Sequence, residues 1–195
     1  MVIESLHGML WGDILLENLM ITIRKATKTD AQACWDIRNA AINKGCAGFY
    51  DAGDLLIWTA GELTEQFRRI VEAHFYVAEI SDNALQVKTV VGTVMLDEPY
   101  AQLEALFVSP DAMGLGVGKA LLKFIETMAF NQGIAQLRLE STLNAVDFYR
   151  HCGFGGEGLE EESIYCSPRG IALECMVMYK NLERPSALPL QSVTS

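Results

Sequence analysis

The residues with the clearest chemical potential lie between Glu104 and Leu122, where a strand-like run passes through a glycine-rich loop into a helix-like run. Gly114, Gly116 and Gly118 would let this loop turn tightly and bring its backbone close to a ligand. The first amides of a helix have no partner within it, and the helix dipole places its positive end there. The junction is therefore predicted to bind an anion such as a pyrophosphate, the alternative being a turn that binds nothing.

Two common phosphate motifs fit this loop less well. A P-loop needs Gly-x4-Gly-Lys-Ser/Thr, but Met113 and Ala120 stand where its first glycine and its hydroxyl residue belong. A Rossmann fingerprint follows the first strand of a βαβ unit, whereas a run of successive strands precedes the GxGxG here. Glu140 ends the next strand near the position of a ribose-binding acid, so dinucleotide binding stays an alternative.

A second pattern is the segment NAVDFYRHCGF, residues 144–154. Together with MGLGVGKAL, residues 113–121, it resembles the signatures of the GNAT superfamily of acyl-CoA N-acyltransferases, NAxxFYxxxGF and Arg/Gln-x-x-Gly-x-Gly/Ala. The first of these signatures is complete, whereas Met113 replaces the arginine or glutamine that opens the second. The resemblance extends over about residues 20–182 and includes the opening strand and helix.

The resemblance implies an α/β (mixed α+β) fold, with a central mixed, mostly antiparallel sheet flanked by helices and a cofactor site at a strand–glycine loop–helix junction. It implies an N-acetyltransferase that moves the acetyl group of acetyl-CoA to a primary amine of a small molecule or peptide. Direct attack in a ternary complex is expected, because no Cys or Ser lies in a nucleophile motif. A non-catalytic CoA-binding module on the same fold and a nucleotide-binding protein are the alternatives.

The resemblance also assigns cofactor contacts by position. In family members, a bulge in the strand before the loop meets the pantetheine arm and polarises the thioester carbonyl, and here that falls on Leu106, Phe107 and Val108. The predicted cofactor contacts are Leu106, Phe107, Val108, Met113, Gly114, Leu115, Gly116, Val117, Gly118, Lys119 and Asn144. Asn144 would contact the pantetheine or phosphates, or else cap its helix without any ligand.

Tyr149 is the candidate catalytic acid, because family members often place a tyrosine there to protonate the departing thiolate. A phenol of pKa ~10 can supply a thiolate of pKa ~8.5 only where the site holds the two within hydrogen-bond reach. Glu104 is the candidate base that takes a proton from the acceptor ammonium. Tyr50 and Trp58 fall in the region that shapes the acceptor pocket. The alternatives are packing for the aromatic residues and a solvent-facing position for Glu104.

The elements that position these residues are predicted from periodicity and turn signals. Their order is β-α-α-β-β-β-α-β-α-β-β, with an antiparallel meander in the middle. Helices are predicted from a Thr29–Gln32 capping box to Gly45, over residues 54–73 with a break near Gly61, from Val117 to Gly133, and from Asn144 to Cys152. Strands are predicted at residues 21–24, 75–80, 89–96, 102–108, 136–140 and 173–179. The acidic run Glu160–Glu162 is predicted to be a solvated loop.

Composition sets the remaining limits. The chain of 195 residues is half hydrophobic, which is an ordinary balance for a globular protein. Its net charge of −10 disfavours nucleic-acid binding. Residues 1–19 lack the basic start and unbroken apolar run of a signal peptide or membrane span. They are predicted to be an extension before the domain of residues 20–182, either an amphipathic helix docked on it or the product of a start upstream of Met20. Residues 183–195 are predicted to be a flexible tail.

The cysteines and histidines bear on the compartment and on metal binding. Five cysteines without a CxxC pair predict free thiols and a cytoplasmic location. Three histidines far apart in sequence give no zinc pattern, so no metal is expected. Many members of the family pair through sheets or helices, which leaves a homodimer open.

Overall fold

The computed structural model describes residues 19–82, 87–167 and 169–183. The predicted extension and tail therefore lie outside the described residues, except for Leu19 and Glu183. The strands are β1 Leu19–Lys25, β2 Phe75–Asp82, β3 Val87–Asp97, β4 Gln102–Val108, β5 Gln136–Thr142, β6 Glu160–Cys166 and β7 Ala172–Asn181. The helices are α1 Ala31–Gly45, α2 Ala52–Thr59, α3 Glu65–His74, α4 Val117–Asn131 and α5 Val146–His151.

The seven strands form one sheet in the order β1-β2-β3-β4-β5-β7-β6. All neighbours are antiparallel except β4 and β5, which run parallel. The crossover between β4 and β5 contains the glycine-rich loop and α4, because parallel neighbours need a long connection. The prediction of a mixed, mostly antiparallel sheet with a central meander is confirmed.

The helices cover both faces of the sheet. Leu121 and Ile125 of α4 are fully buried against a core that includes Ala78 of β2. Val71 of α3 is fully buried in a second core that includes Val77 of β2. Successive residues of a strand point to opposite faces, so α4 lies on one side of the sheet and α1 with α3 on the other.

The start of α1 differs from the prediction. The capping box joins Thr27 and Asp30 in a short 3-10 turn, where the Thr27 amide donates to the Asp30 carboxylate at 2.7 Å. The box predicted at Thr29–Gln32 is wrong, because the Gln32 side chain instead donates to Asp36 within the helix. Asp30 also pairs with Arg24 at 2.8 Å, which ties the helix start to β1.

Two other regions test the predicted boundaries. The helix predicted at residues 54–73 with a break near Gly61 is confirmed, because α2 and α3 are separate helices on either side of it. The acidic loop predicted at Glu160–Glu162 is wrong, because these residues begin the edge strand β6. An edge strand tolerates charge since its outer side faces water, and Glu160 also pairs with Arg150 at 2.7 Å.

The described cysteines are free thiols, and three of them, Cys34, Cys46 and Cys175, are buried. Within the described ranges, no helix combines the length and the apolar character that a membrane crossing requires.

Candidate active site

The site begins where β4 and β5 separate. These parallel strands pair only at Gln102 with Arg138 and at Leu103 with Leu139. Beyond those two pairs they diverge, and a cavity of about 850 Å³ fills the opening. Its walls come from β4, the glycine-rich loop and α4 on one side and from β5, the turn before α5, α1 and β7 on the other.

β4 bends away from β5 at a bulge. Ala105 pairs with Met95 and Leu103 pairs with Leu96, so Glu104 is the extra residue on β4. The bulge predicted at residues 106–108 is wrong, because those residues keep a regular register with β3. The bulge instead comes directly after the last β4–β5 pair, where the strand must change direction.

The register also decides which way the β4 backbone points. The Ser109 amide donates to the Val91 carbonyl oxygen at 2.7 Å, which makes them a hydrogen-bonded pair. Hydrogen-bonded and non-hydrogen-bonded pairs alternate between antiparallel strands. The N–H and C=O groups of Leu106 and Val108 therefore point away from β3 and into the opening. The backbone of Phe107 points to β3, although this residue also borders the cavity.

The glycine-rich loop leads into α4 as predicted. Gly114 and Gly116 both have a φ of 82°, a left-handed conformation that strains any other residue. No side chain caps Gly116, and the amides of residues 117–119 have no backbone acceptor among the described residues. These N–H groups lie at the positive end of the helix dipole and border the cavity, which suits an anionic ligand.

Nearly all of the predicted cofactor contacts border this one cavity. They are Leu106, Phe107, Val108, Met113, Gly114, Gly116, Val117, Gly118, Lys119 and Asn144. Leu115 does not line it, because its side chain packs against the core beneath α4. Any contact from Leu115 would have to come from its backbone.

Tyr149 lies on α5, close to the C-terminal end of that helix. Its side chain is 8% exposed and lines the cavity between the rings of Phe148 and Phe154, with ring centroids 5.1 and 5.9 Å away. No described residue hydrogen-bonds its hydroxyl. Burial raises the pKa of Tyr149 well above its usual value, with Cys152 adding to the effect. The phenol is therefore neutral at physiological pH and is a hydrogen-bond donor.

Glu104 borders the same cavity, although solvent reaches its side chain. Partial burial raises the pKa of Glu104, and the nearby carboxylates of Asp97 and Glu140 raise it further while Arg138 opposes them. A carboxylate with a raised pKa is a stronger proton acceptor than an ordinary one.

Asn144 is not a helix cap. It lies in a 3-10 turn, and the residue before α5 is Ala145, with no side-chain capping bond. Its side-chain oxygen accepts a hydrogen bond from Cys46 Sγ at 3.2 Å. Its side-chain nitrogen lies close to Gly45, since a Cβ added to Gly45 would be 3.2 Å from that nitrogen. The capping alternative is therefore wrong, and Asn144 instead joins α1 to the start of α5.

Tyr50 joins three segments at the wall of the cavity. Its hydroxyl donates to the Glu174 carbonyl oxygen at 2.7 Å and accepts from the Leu143 amide at 2.9 Å. Burial raises the pKa of Tyr50 to about 12, which keeps this donor protonated. Trp58 is buried and lines the cavity beside Tyr165, with ring centroids 5.9 Å apart. Tyr50 and Trp58, the two residues predicted for the acceptor pocket, therefore both border this cavity.

Arg38 and Tyr165 are among the residues of this wall that the sequence predictions missed. Arg38 follows the buried positions Cys34 and Ile37 and precedes Ile42 on α1. A charged residue within an apolar helical stripe is a signal that periodicity alone could have supplied. Tyr165 lies on β6, where the sequence carried no motif.

A model of the acetyltransferase (GNAT) family matches residues 41–154, more than half of the chain. Comparison with curated proteins gave no match.

Solved structures share the fold at low sequence identity. A GCN5-related N-acetyltransferase from Rhodopseudomonas palustris is 23% identical with a TM-score of 0.70, covering 83% of this chain and 95% of its own. The paia N-acetyltransferase from Thermoplasma acidophilum, in complex with coenzyme A, is 20% identical with a TM-score of 0.62, covering 83% and 99%. The yncA protein of Salmonella typhimurium, with its cofactor acetyl-CoA, is 19% identical with a TM-score of 0.53, covering 88% and 99%. With the family match over its central residues and this fold around it, the chain belongs to the GNAT acetyltransferase family and is an acyltransferase.

Proposed function

We propose that this enzyme transfers the acetyl group of acetyl-CoA to a primary amine of a small molecule or peptide, by direct attack while both substrates are bound. The observation that carries the proposal is the shared cavity. The open edge of β4, the unpaired amides at the start of α4 and the Tyr149 side chain all border it. Two similar structures were solved with coenzyme A or acetyl-CoA, which supports the same donor here.

The donor fits along two backbone surfaces. The amides of residues 117–119 suit the pyrophosphate, and Lys119 brings a positive charge to the same end. The N–H and C=O groups of Leu106 and Val108 suit the amides of an extended pantetheine arm, because they are the pattern that a neighbouring strand would meet. One of these N–H groups would also hold the thioester carbonyl oxygen and stabilise the negative charge that develops on it.

The transfer requires three proton movements. The acceptor arrives as an ammonium ion, and Glu104 accepts its proton directly or through water. The amine nitrogen then bonds to the carbonyl carbon, and collapse of the tetrahedral state breaks the carbon–sulfur bond. Tyr149 donates a proton to the departing sulfur, so that CoA leaves as a thiol. The nitrogen then gives its extra proton to the Tyr149 phenolate, directly or through water, so that the product is a neutral amide.

Burial affects both partners of the second proton transfer. It raises the pKa of Tyr149, which by itself makes donation harder. The same low-dielectric surroundings destabilise a thiolate, so they raise the proton affinity of the leaving group as well. The balance favours a hydrogen bond that strengthens as the carbon–sulfur bond breaks.

Direct transfer also agrees with the cysteines of the cavity. Cys34, Cys46 and Cys175 line it, and burial raises the pKa of each thiol. A protonated, buried thiol is a poor nucleophile. A covalent acetyl-cysteine intermediate is therefore not part of the proposal.

The test combines binding with turnover. Coenzyme A and acetyl-CoA should raise the melting temperature, whereas NAD and ATP should raise it much less. A panel of amines and peptides is then incubated with acetyl-CoA while free CoA thiol is measured. Amine-dependent thiol release supports the proposal. A thermal shift with CoA but no thiol release from any amine would favour the non-catalytic module, and a shift with NAD alone would favour the nucleotide-binding alternative.

A further inference from the structure

Arg38 is a cation on the cavity wall whose charge is not balanced by an ion pair among the described residues. Its guanidinium lies near the rings of Trp35 and Trp58, at 5.7 and 5.9 Å from their centroids. It donates to Asn39 Oδ1 at 2.7 Å and to the Trp58 carbonyl oxygen at 3.3 Å. A guanidinium has five N–H groups, so donors remain for another partner.

The surroundings make an unbalanced charge costly at this point. Burial lowers the pKa of Arg38, and the neighbouring Arg169 lowers it further. A partly buried charge without a counter-charge is unfavourable unless something else compensates for it. Contact with the aromatic rings offsets part of the free-energy cost of burying the Arg38 charge. It leaves unused the planar array of N–H groups with which a guanidinium binds a carboxylate.

Carboxylates occupy another part of the same wall. Glu104, Glu140 and Glu174 all border the cavity. Tyr165 borders the cavity as well. Burial raises the pKa of its phenol, Arg38 lowers it, and Glu104 and Glu140 raise it. The acceptor side therefore presents negative groups and one positive group around a common space, with aromatic walls from Tyr50 and Trp58.

We propose that the acceptor is a zwitterion of the amino-acid type, whose ammonium group faces the Glu104 side while its carboxylate binds the Arg38 guanidinium. This inference deepens the proposed function and rests on it. The carboxylate would supply the missing counter-charge, and the aromatic walls would favour an apolar or aromatic side chain. Arg38 is then a specificity-determining residue that orients the amine toward the thioester.

A purely structural role for Arg38 makes a different prediction. Its bond to the Trp58 carbonyl oxygen lies near the end of α2, where the neighbouring Arg169 also donates to the Ala60 carbonyl oxygen. If Arg38 served only to hold the end of this helix, its loss would affect every acceptor equally. Discrimination among acceptors separates the two roles.

The experiment uses the full chain and matched triplets of acceptors. Each common amino acid is compared with its carboxamide and with its decarboxylated amine, and kcat/KM is expressed per unprotonated amine. The wild type should prefer the acid by roughly 10- to 100-fold. Arg38→Met should abolish that preference, mainly through KM for the acid, and leave KM for acetyl-CoA unchanged. Arg38→Lys should retain part of it.

Arg69→Met is the control, because Arg69 is an exposed cation on α3 outside the cavity. It should keep the preference intact. Equal use of the three compounds by the wild type would overturn the inference while leaving the proposed function standing, and so would a uniform loss in Arg38→Met. Acetyl-CoA binding without turnover of any amine would instead remove the proposed function itself. The wild-type comparison decides the matter even if Arg38→Met does not fold.

Discussion

Gly92 of β3 lies directly beneath Val117, the first residue of α4, so closely that a Cβ on Gly92 would be 2.8 Å from Val117 Cγ1. The same Cβ would be 2.9 Å from Leu121 Cδ1. Val117 and Leu121 are 1% and 0% exposed and pack in the core between α4 and the sheet. The absence of a side chain at Gly92 thus sets how closely the N-terminal end of α4 approaches the sheet.

Gly92→Ala should therefore displace the first turn of α4. We expect a loss of about 1–3 kcal/mol in the free energy of unfolding, measured by denaturant titration, together with weaker acetyl-CoA binding. Combined with Val117→Ala, which removes one of the clashing groups, the cost should be less than the sum of the single costs. Strict additivity of the two substitutions would show that this contact is not the cause.

Gly116→Val tests the loop as an anion site. Valine at a φ of 82° is strained, and its side chain would stand beside the unpaired amides at the start of α4. Gly133 has a φ of 81° and equally open surroundings, so Gly133→Val is a matched control for the strain. Both variants should lose similar stability, but only Gly116→Val should lose the thermal shift with CoA. A normal CoA shift in Gly116→Val would rule out the loop as the phosphate site.

Tyr149→Phe tests the proposed acid. The hydroxyl has no described hydrogen-bond partner, so its removal should leave the melting temperature nearly unchanged. If it protonates the departing thiolate, kcat and kcat/KM should fall equally by roughly 10²-fold or more, with little change in acetyl-CoA affinity. Tyr76→Phe removes a hydroxyl from a ring that packs on Phe124, away from the cavity, and should be silent. Wild-type turnover in Tyr149→Phe would mean that water or the acceptor supplies the proton.

Glu104→Gln tests the proposed base through its pH dependence. The carboxylate must be ionised to accept a proton, and its pKa is raised by burial and then by Asp97 and Glu140. The rate should therefore rise with pH through a limb that lies above the ordinary pKa of a glutamate, and Glu104→Gln should lose this limb together with roughly 10²-fold or more in kcat. Glu98→Gln, in the exposed turn before β4, is the control.

Stability gives an independent readout for the same variant. A carboxyl whose pKa is raised on folding contributes stability below its unfolded pKa and loses it as the pH rises through the folded value. Ionised Glu104 is thus slightly destabilising at neutral pH, and Glu104→Gln should melt at the same temperature as the wild type or slightly higher. A marked drop in melting temperature would show that Glu104 has a structural role.

Local sequence patterns predicted the strands and helices that position the site. They could not predict contacts between residues that are distant in sequence. The limits of β4 follow from its β-forming residues and the Ser109-Pro110 stop, and α4 follows from its apolar spacing and the glycines that flank it. The bulge at Glu104 depends on how β3 and β5 pair with β4, which periodicity does not encode. The bonds from Tyr50 to residues 93 and 124 positions further along the chain depend on the closed fold in the same way.

The early separation of β4 from β5 leaves the sheet as two halves, β1–β4 and β5–β7–β6, joined by only two residue pairs. An extended ligand in the opening would act as the strand that the sheet lacks. With this ligand bound, the two half-sheets would unfold locally as one cooperative unit, whereas without it each could open independently. Amide hydrogen exchange reports this at single residues. The amides of Leu106 and Val108 should exchange quickly in the free enzyme and slowly with acetyl-CoA bound, whereas the Phe107 amide between them, already directed to β3, should be protected throughout.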